Sequence, residues 1–211
     1  FPLGDPPNYE PSPGESIAAR AETTGVTPVE WVYDYLLSQD GTAQLLIALA
    51  GLVNDTLDLV RDLMDHPNVI FGLGDGGAHY GLICDASYPT HILTHWVRDR
   101  ARGRLPLEHA IASLTSRPAA TVGLHDRGLL APGYKADVNV IDPEAITLHP
   151  PIVVNDLPGG GRRMMQKASG YRATIVAGEI TYEDGKATSA LPGKLIRGSQ
   201  SAPLPTVEAF A

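Results

Sequence analysis

The apolar pattern along this chain changes its period once, near residue 125. Before that point, apolar residues recur mostly at helical spacing, and the runs between them are short and compact. Thr27-Pro28-Val29-Glu30 is a strong helix start: Thr27 is placed to cap, Pro28 suits the first helical position, and Glu30 completes a capping box. Trp31, Val32, Tyr35 and Leu36 continue it at helical spacing until Asp40-Gly41. A shorter helix is predicted over Ser16–Glu22, closed near Gly25. Another is predicted from Asn54, with Leu57, Val60, Leu63 and Met64 as its buried stripe and Pro67 as its stop. Leu45–Ala50 and Val69–Gly74 read as buried strands. Residues 27–75 therefore alternate helix, strand, helix, strand, the pattern of a parallel sheet with crossover helices.

After a loop over Tyr80–Ser87, helices are predicted from Pro89 towards Gly103, from Pro106, and from Ser116, which is placed to cap a short helix ending at Gly123. Beyond residue 125 the text is turn-rich. A strand is predicted over Asp137–Ile141, and a hairpin joins Ala173–Ala177 to Ile180–Glu183 through a Gly178-Glu179 turn, closed by Asp184-Gly185. Residues 143–170 read as mostly irregular, with Gly159-Gly160-Gly161 as the flexible point. The Pro-rich opening, Phe1-Pro2-Leu3-Gly4-Asp5-Pro6-Pro7, reads as an extended loop from the middle of a longer protein, and the stretch from Ser189 as a surface wrap.

Composition narrows the function classes. The net charge of −8 and the lack of any contiguous Lys/Arg run longer than a pair disfavour nucleic-acid binding. The longest apolar run, Leu45–Val53, is too short to span a membrane. With Cys84 as the one cysteine, no internal disulfide and no Cys-based zinc cluster is expected. No signal-peptide pattern is visible, and the expectation is a cytoplasmic protein.

The candidate chemistry centres on Gly72-Leu73-Gly74-Asp75-Gly76-Gly77-Ala78-His79. An acid at a strand's carboxyl end, followed by glycines that admit a sharp turn, is where barrels and open sheets put their reacting groups. Read alone, Asp75-Gly76 is equally a turn starter. His91 and His95 have a helical spacing that can bind zinc, but Ile92 stands where a metalloprotease motif needs Glu, so they read as polar or packed positions. Cys84 reads as a buried thiol, Asp85 as a helix-capping acid, and Asp137 as a structural acid pairing turn amides. Trp31, Trp96 and Tyr134 read as core.

The ordered set Gly74-Asp75-Gly76-Gly77-Ala78-His79, Thr115-Ser116-Arg117-Pro118-Ala119-Ala120, Pro132-Gly133-Tyr134-Lys135-Ala136-Asp137 and Thr174-Ile175-Val176-Ala177-Gly178-Glu179 resembles the C-terminal portion of the amidohydrolase superfamily. The chain looks most like the N-acyl-D-amino-acid deacylase branch. The resemblance implies an α/β fold: the C-terminal part of a (β/α)8 TIM-like metal-dependent hydrolase barrel, plus part of a small β-sandwich. Residues 1–125 would be barrel, with Leu45–Ala50 and Val69–Gly74 as its seventh and eighth strands, 126–195 sandwich, and 196–211 a tail.

The same resemblance implies metal-dependent hydrolysis of a C–N amide bond, most simply deacylation of an N-acyl-D-amino acid. Asp75 would be general base, then acid, and a possible metal contact, with His79 supporting it. One or two zinc ions would be bound mainly by residues outside this chain, because no His-x-His occurs here. The implied partners are the N-terminal half of the barrel, in the same polypeptide or a second chain, and a small amide substrate; nucleic acid and membrane are not expected, and a homo-oligomer is compatible. In the deacylase branch a basic residue soon after the acid holds the substrate carboxylate. Here that loop runs Tyr80-Gly81-Leu82-Ile83-Cys84-Asp85-Ala86, and the next arginine is Arg98. Arg162 and Arg163 are candidates to supply the clamp instead. Two alternatives stay open: a non-catalytic subunit or binding module of amidohydrolase shape, and a cyclic-amide hydrolase related to hydantoinases or dihydroorotases.

Overall fold

A computed structural model describes residues 1–48, 50–73, 77 and 79–204. The helices are α1 (Ile17–Thr24), α2 (Pro28–Leu37), α3 (Asp58–Met64), α4 (Tyr88–His91), α5 (Leu107–Leu114) and α6 (Ser116–Thr121). The strands are β1 (Val138–Ile141), β2 (Thr147–Leu148), β3 (Ile152–Leu157), β4 (Gly161–Met165), β5 (Ala168–Ser169), β6 (Tyr171–Val176), β7 (Glu179–Glu183) and β8 (Lys186–Ala187). They distribute over two compact units. The first comprises Phe1–Val69, Gly77–Cys84 and Leu148–Lys167, and the second the remaining described residues.

In the first unit, α1 and α2 form as their sequences dictate. The Ser16 hydroxyl accepts from the Ala19 amide, and Gly25 closes α1 in the left-handed region at φ 72°. At α2 the Glu30 carboxylate accepts from the Thr27 amide at 2.8 Å, and the Glu30 amide donates to the Thr27 hydroxyl at 3.3 Å. That satisfies two helix-end donors reciprocally. Trp31 and Tyr35 stack at 5.1 Å one turn apart.

α3 begins four residues later than its apolar stripe predicts. Asn54 and Asp55 take left-handed φ values of 51° and 61°, inside a turn closed by reciprocal Val53 and Thr56 hydrogen bonds. The Glu10 carboxylate then accepts from the Leu57 amide at 2.9 Å, at the helix's true start.

Among the described residues the two expected barrel strands are not formed. Residues 44–46 are engaged antiparallel by the opening segment: the Leu3 amide donates to the Gln44 carbonyl at 3.0 Å, and the Leu46 amide to the Phe1 carbonyl at 2.8 Å. The described residues of 69–74 carry no ladder at all. A buried apolar run becomes a strand only where a neighbour supplies its hydrogen bonds, and among the described residues none lies beside these two in the parallel sense.

A hairpin replaces the irregular stretch expected over 143–170. β3 and β4 pair antiparallel, with Ile152 opposite Met165, Val153 opposite Met164 and Val154 opposite Arg163. They turn through Pro158-Gly159-Gly160, where both glycines have positive φ. Side chains pin its base: the Gln44 amide donates to the Pro151 carbonyl at 2.7 Å, and that of Gln166 to the Tyr9 hydroxyl at 2.7 Å and the His149 carbonyl at 2.9 Å.

The second unit is built on α4 and the π-helical turns that continue it over Ile92–Asp99. Ile92, Leu93, Trp96, Leu105, Ala110 and Ile146 are buried there. Arg100 is 4% exposed and lies 4.8 Å from the Trp96 ring centroid, so its charge is held against an aromatic face. Thr115, rather than Ser116, occupies the cap position of α6, and Ser116 is its first residue.

A four-stranded antiparallel sheet in the order β1-β6-β7-β8 completes this unit. Its β6–β7 turn is Ala177-Gly178, one residue earlier than the sequence reading, with φ of 51° and 86°. Both values are what a two-residue hairpin turn demands.

Gly170 and Gly178 both have positive φ, 89° and 86°, but only Gly178 faces open space; a Cβ on Gly170 would overlap the Ile146 backbone. Gly178→Ala should therefore cost about 1 kcal/mol of backbone strain. Gly170→Ala should cost clearly more, read as the shift in urea midpoint. Equal shifts would contradict this packing of β6 against residue 146.

Candidate functional site

Asp75 lies outside the described residues; the described part of its motif begins at Gly77 and His79. His79 sits in the left-handed region at φ 50° and is exposed. Its carbonyl accepts from the Leu82 amide at 2.7 Å and the Ile83 amide at 2.9 Å. The loop is thereby coiled into a tight turn just beyond the glycines that admit it.

One residue on, the Tyr80 carbonyl accepts from the Met164 amide at 2.8 Å. That bond places the His79 loop along β4. The structure thus brings the His79 loop together with the strand that carries Arg162 and Arg163, two groups that the sequence alone leaves about eighty residues apart.

The two arginines differ in state. Arg163 makes a bidentate pair with Asp156 of β3, Nε to Oδ1 and Nη2 to Oδ2, both 2.7 Å. This fork-to-fork geometry is the strong form of an arginine–carboxylate contact. The Arg163 hydrogen bond, with its charge adding, holds the Asp156 carboxyl below its ordinary range. The same bond to Asp156 raises Arg163, burial opposes that, and the charges of Asp156 and Cys84 add to it. Arg162, next along the strand, is exposed.

Cys84 is half-buried at the end of the loop, and Asp85 opens a single 3₁₀ turn, Asp85–Ser87, ahead of α4. His91 and His95 stack face to face at 4.9 Å with 8° between their planes. Among the described residues no three His, Cys, Asp or Glu side chains gather into a group that would hold a metal ion.

Asp137 is structural, as its sequence context indicates: its carboxylate accepts from the Ala177 amide at 2.8 Å, and Arg127 stands 3.8 Å away. Trp96 is core at 2% exposed, whereas Trp31 and Tyr134 are only half-buried. No helix among the described residues is long and apolar enough to cross a membrane.

Sequence reasoning missed Asp156 and the β3–β4 hairpin that carries it. The signal was present: a Pro-Gly-Gly turn between the apolar runs Ile152–Val154 and Met164–Met165.

A family model described as "Amidohydrolase family" matches residues 10–182. The chain is 32% identical over 97 residues to a dihydroorotase of Lactobacillus johnsonii, covering 46% of this chain and 22% of that protein. It is 29% identical over 157 residues to a dihydroorotase of Lactobacillus gasseri, covering 71% and 35%. It is 30% identical over 114 residues to an N-acyl-D-aspartate deacylase of Alcaligenes xylosoxydans xylosoxydans, covering 54% and 21%. A crystal structure of D-aminoacylase aligns with a TM-score of 0.37 at 31% identity, over 48% of this chain and 19% of that one. The chain thus spans between 19% and 35% of the length of these proteins.

Because its pKa is depressed in the folded protein, Asp156 contributes to stability above the ordinary carboxylate range of about 3.9, and that contribution fades as pH falls through the folded value. An NMR titration should find the Asp156 midpoint below that range, and Arg163→Gln should return it there. A midpoint indifferent to Arg163 would contradict the pairing.

Proposed function

The chain belongs to the amidohydrolase family, and from that premise we infer that it carries the proton-shuttling carboxylate of a hydrolase acting on non-peptide C–N bonds. The observation that supports this is the span of the family match: residues 10–182 run unbroken through Gly74-Asp75-Gly76-Gly77-Ala78-His79.

In this reading Asp75 takes a proton from water as the water oxygen bonds to the amide carbon. It then passes that proton to the nitrogen as the C–N bond breaks. The products are a carboxylic acid and an amine, and the Asp75 carboxylate is regenerated. An amide nitrogen leaves poorly unless protonated, so one acid facing both water and nitrogen answers both needs. His79, four residues on, is assigned to support Asp75 or face the substrate.

The described residues by themselves do not form a metal centre. Zinc, implied by the family resemblance, is assigned to the complete enzyme, with its ligands mainly on residues outside this chain and Asp75 as a possible contact. The N-terminal half of the barrel, in the same polypeptide or a partner, is assigned the rest of the site.

For the substrate, an N-acyl-D-amino acid is supported by similarity to a deacylase named for N-acyl-D-aspartate. A second reading, hydrolysis of a cyclic amide, is supported by the dihydroorotase matches, one of which extends over 71% of the chain. Assaying the complete enzyme on N-acyl-D-amino acids and on cyclic amides separates the two.

Asp75→Asn in the complete enzyme should lower turnover by about 10²-fold or more, the usual scale for a positioned acid–base group. The circular dichroism spectrum should be unchanged. Undiminished turnover would overturn the role given to Asp75.

A further inference from the structure

The β3–β4 hairpin is closed along one edge and open along the other. On the β4 side the Met164 amide donates to the Tyr80 carbonyl at 2.8 Å, so it points away from β3. Val153 lies opposite Met164 in the register. In an antiparallel ladder, opposed residues alternate between pairs that exchange both hydrogen bonds and pairs that exchange none. Val153 and Met164 are a pair of the second kind, and the Val153 amide and carbonyl point outward from β3. Pro151, two residues earlier, has the same phase: its carbonyl accepts from the Gln44 side chain at 2.7 Å. Among the described residues no group bonds to Val153 on that outer side, and the sheet stops at two strands.

The open stretch is short, apolar and uncharged. Ile152 and Val153 are 45% and 56% exposed. Pro151 bounds the stretch at one end, and a register shift between Val154 and Leu157 bounds it at the other. Asp156, the acid just beyond, is neutralised within its own hairpin by the bidentate pair with Arg163. Edge strands are commonly blunted by lysine or by an inward-pointing charge, and Ile152–Val154 has neither.

The chemistry of this edge selects its occupant. One outward N–H and one outward C=O on the same residue are self-complementary. About a two-fold axis through Val153, each amide donates to the other copy's carbonyl, and Ile152 meets Val154. No like charges are opposed there. In a chain of net charge −8, two copies repel over much of their surface, and an uncharged apolar edge is where they approach at least cost. The bounds at Pro151 and Val154 leave one register, so the contact closes on itself as a pair.

We propose that the outer edge of β3 is a homodimer interface, in which Val153 pairs with its counterpart in a second copy of the chain. The two hairpins then form one four-stranded antiparallel sheet in the order β4-β3-β3-β4. Asp156 and Arg163 keep the joining edge neutral, and Gln44 holds its base. The interface does not depend on the reaction the chain serves.

Sedimentation velocity of the complete enzyme should show a dimer. Val153→Pro removes the outward N–H and spares the ladder with β4, which does not use it. The substitution should weaken the dimer by about 30-fold, the net value of two backbone hydrogen bonds. Val153→Ala keeps both backbone groups and should weaken it less. Hydrogen exchange in the unaltered enzyme reads the same edge without a substitution, by mass spectrometry. The Val153 amide should be protected in the dimer and lose that protection on dilution to monomer.

A monomer at every concentration overturns the proposal. So does a dimer in which the Val153 amide exchanges freely, or one that Val153→Pro leaves equally tight. A Val153 amide protected in the monomer overturns it too, because the edge then belongs to another segment of the same polypeptide.

Discussion

Backbone pairing decides what this chain becomes. A peptide N–H or C=O taken from water must find a partner, and an apolar run is a strand only when another segment supplies that ladder. The strands β1, β6, β7 and β8 supply one another. β3 has β4, and the outer edge of β4 has the Tyr80 carbonyl. Among the described residues, 44–46 pair with Phe1–Leu3, antiparallel to them, and those of 69–74 have no ladder. The same constraint thus forms a hairpin where the sequence reads irregular and leaves two apolar runs without a strand.

This is why some of the structure was legible in the sequence and some was not. Thr27, Pro28 and Glu30 specify a helix start within four residues, and the start is found as read, because capping is a local interaction. Asp137 could be read as a turn acid for the same reason. The runs Leu45–Ala50 and Val69–Gly74 have the composition of buried strands, but composition does not say who the neighbour is. At α3 a helix forms, but it starts later because Asn54 and Asp55 are left-handed, and the expected buried stripe is not buried: Leu63 is 49% exposed.

The candidate site divides along the same line. The Asp75–His79 motif is a sequence signal, visible through residue type and order. That the loop after it lies along β4 is a tertiary fact, carried by one backbone bond between residues 80 and 164. The pair Arg162-Arg163 was legible as two adjacent cations, but which of them is committed depended on Asp156, across a hairpin that the sequence reading did not recognise. With the amidohydrolase family established, the Asp75–His79 motif is the proposed source of the reaction's acid.

The docking of the His79 loop on β4 rests on one backbone bond, and amide hydrogen exchange at Met164 measures that docking directly. If the Tyr80 carbonyl holds the Met164 amide, that amide exchanges slowly, on the scale of the ladder amides of β6 and β7. A Met164 amide exchanging as fast as those of exposed loops would mean that the edge of β4 is open, and would contradict the docking.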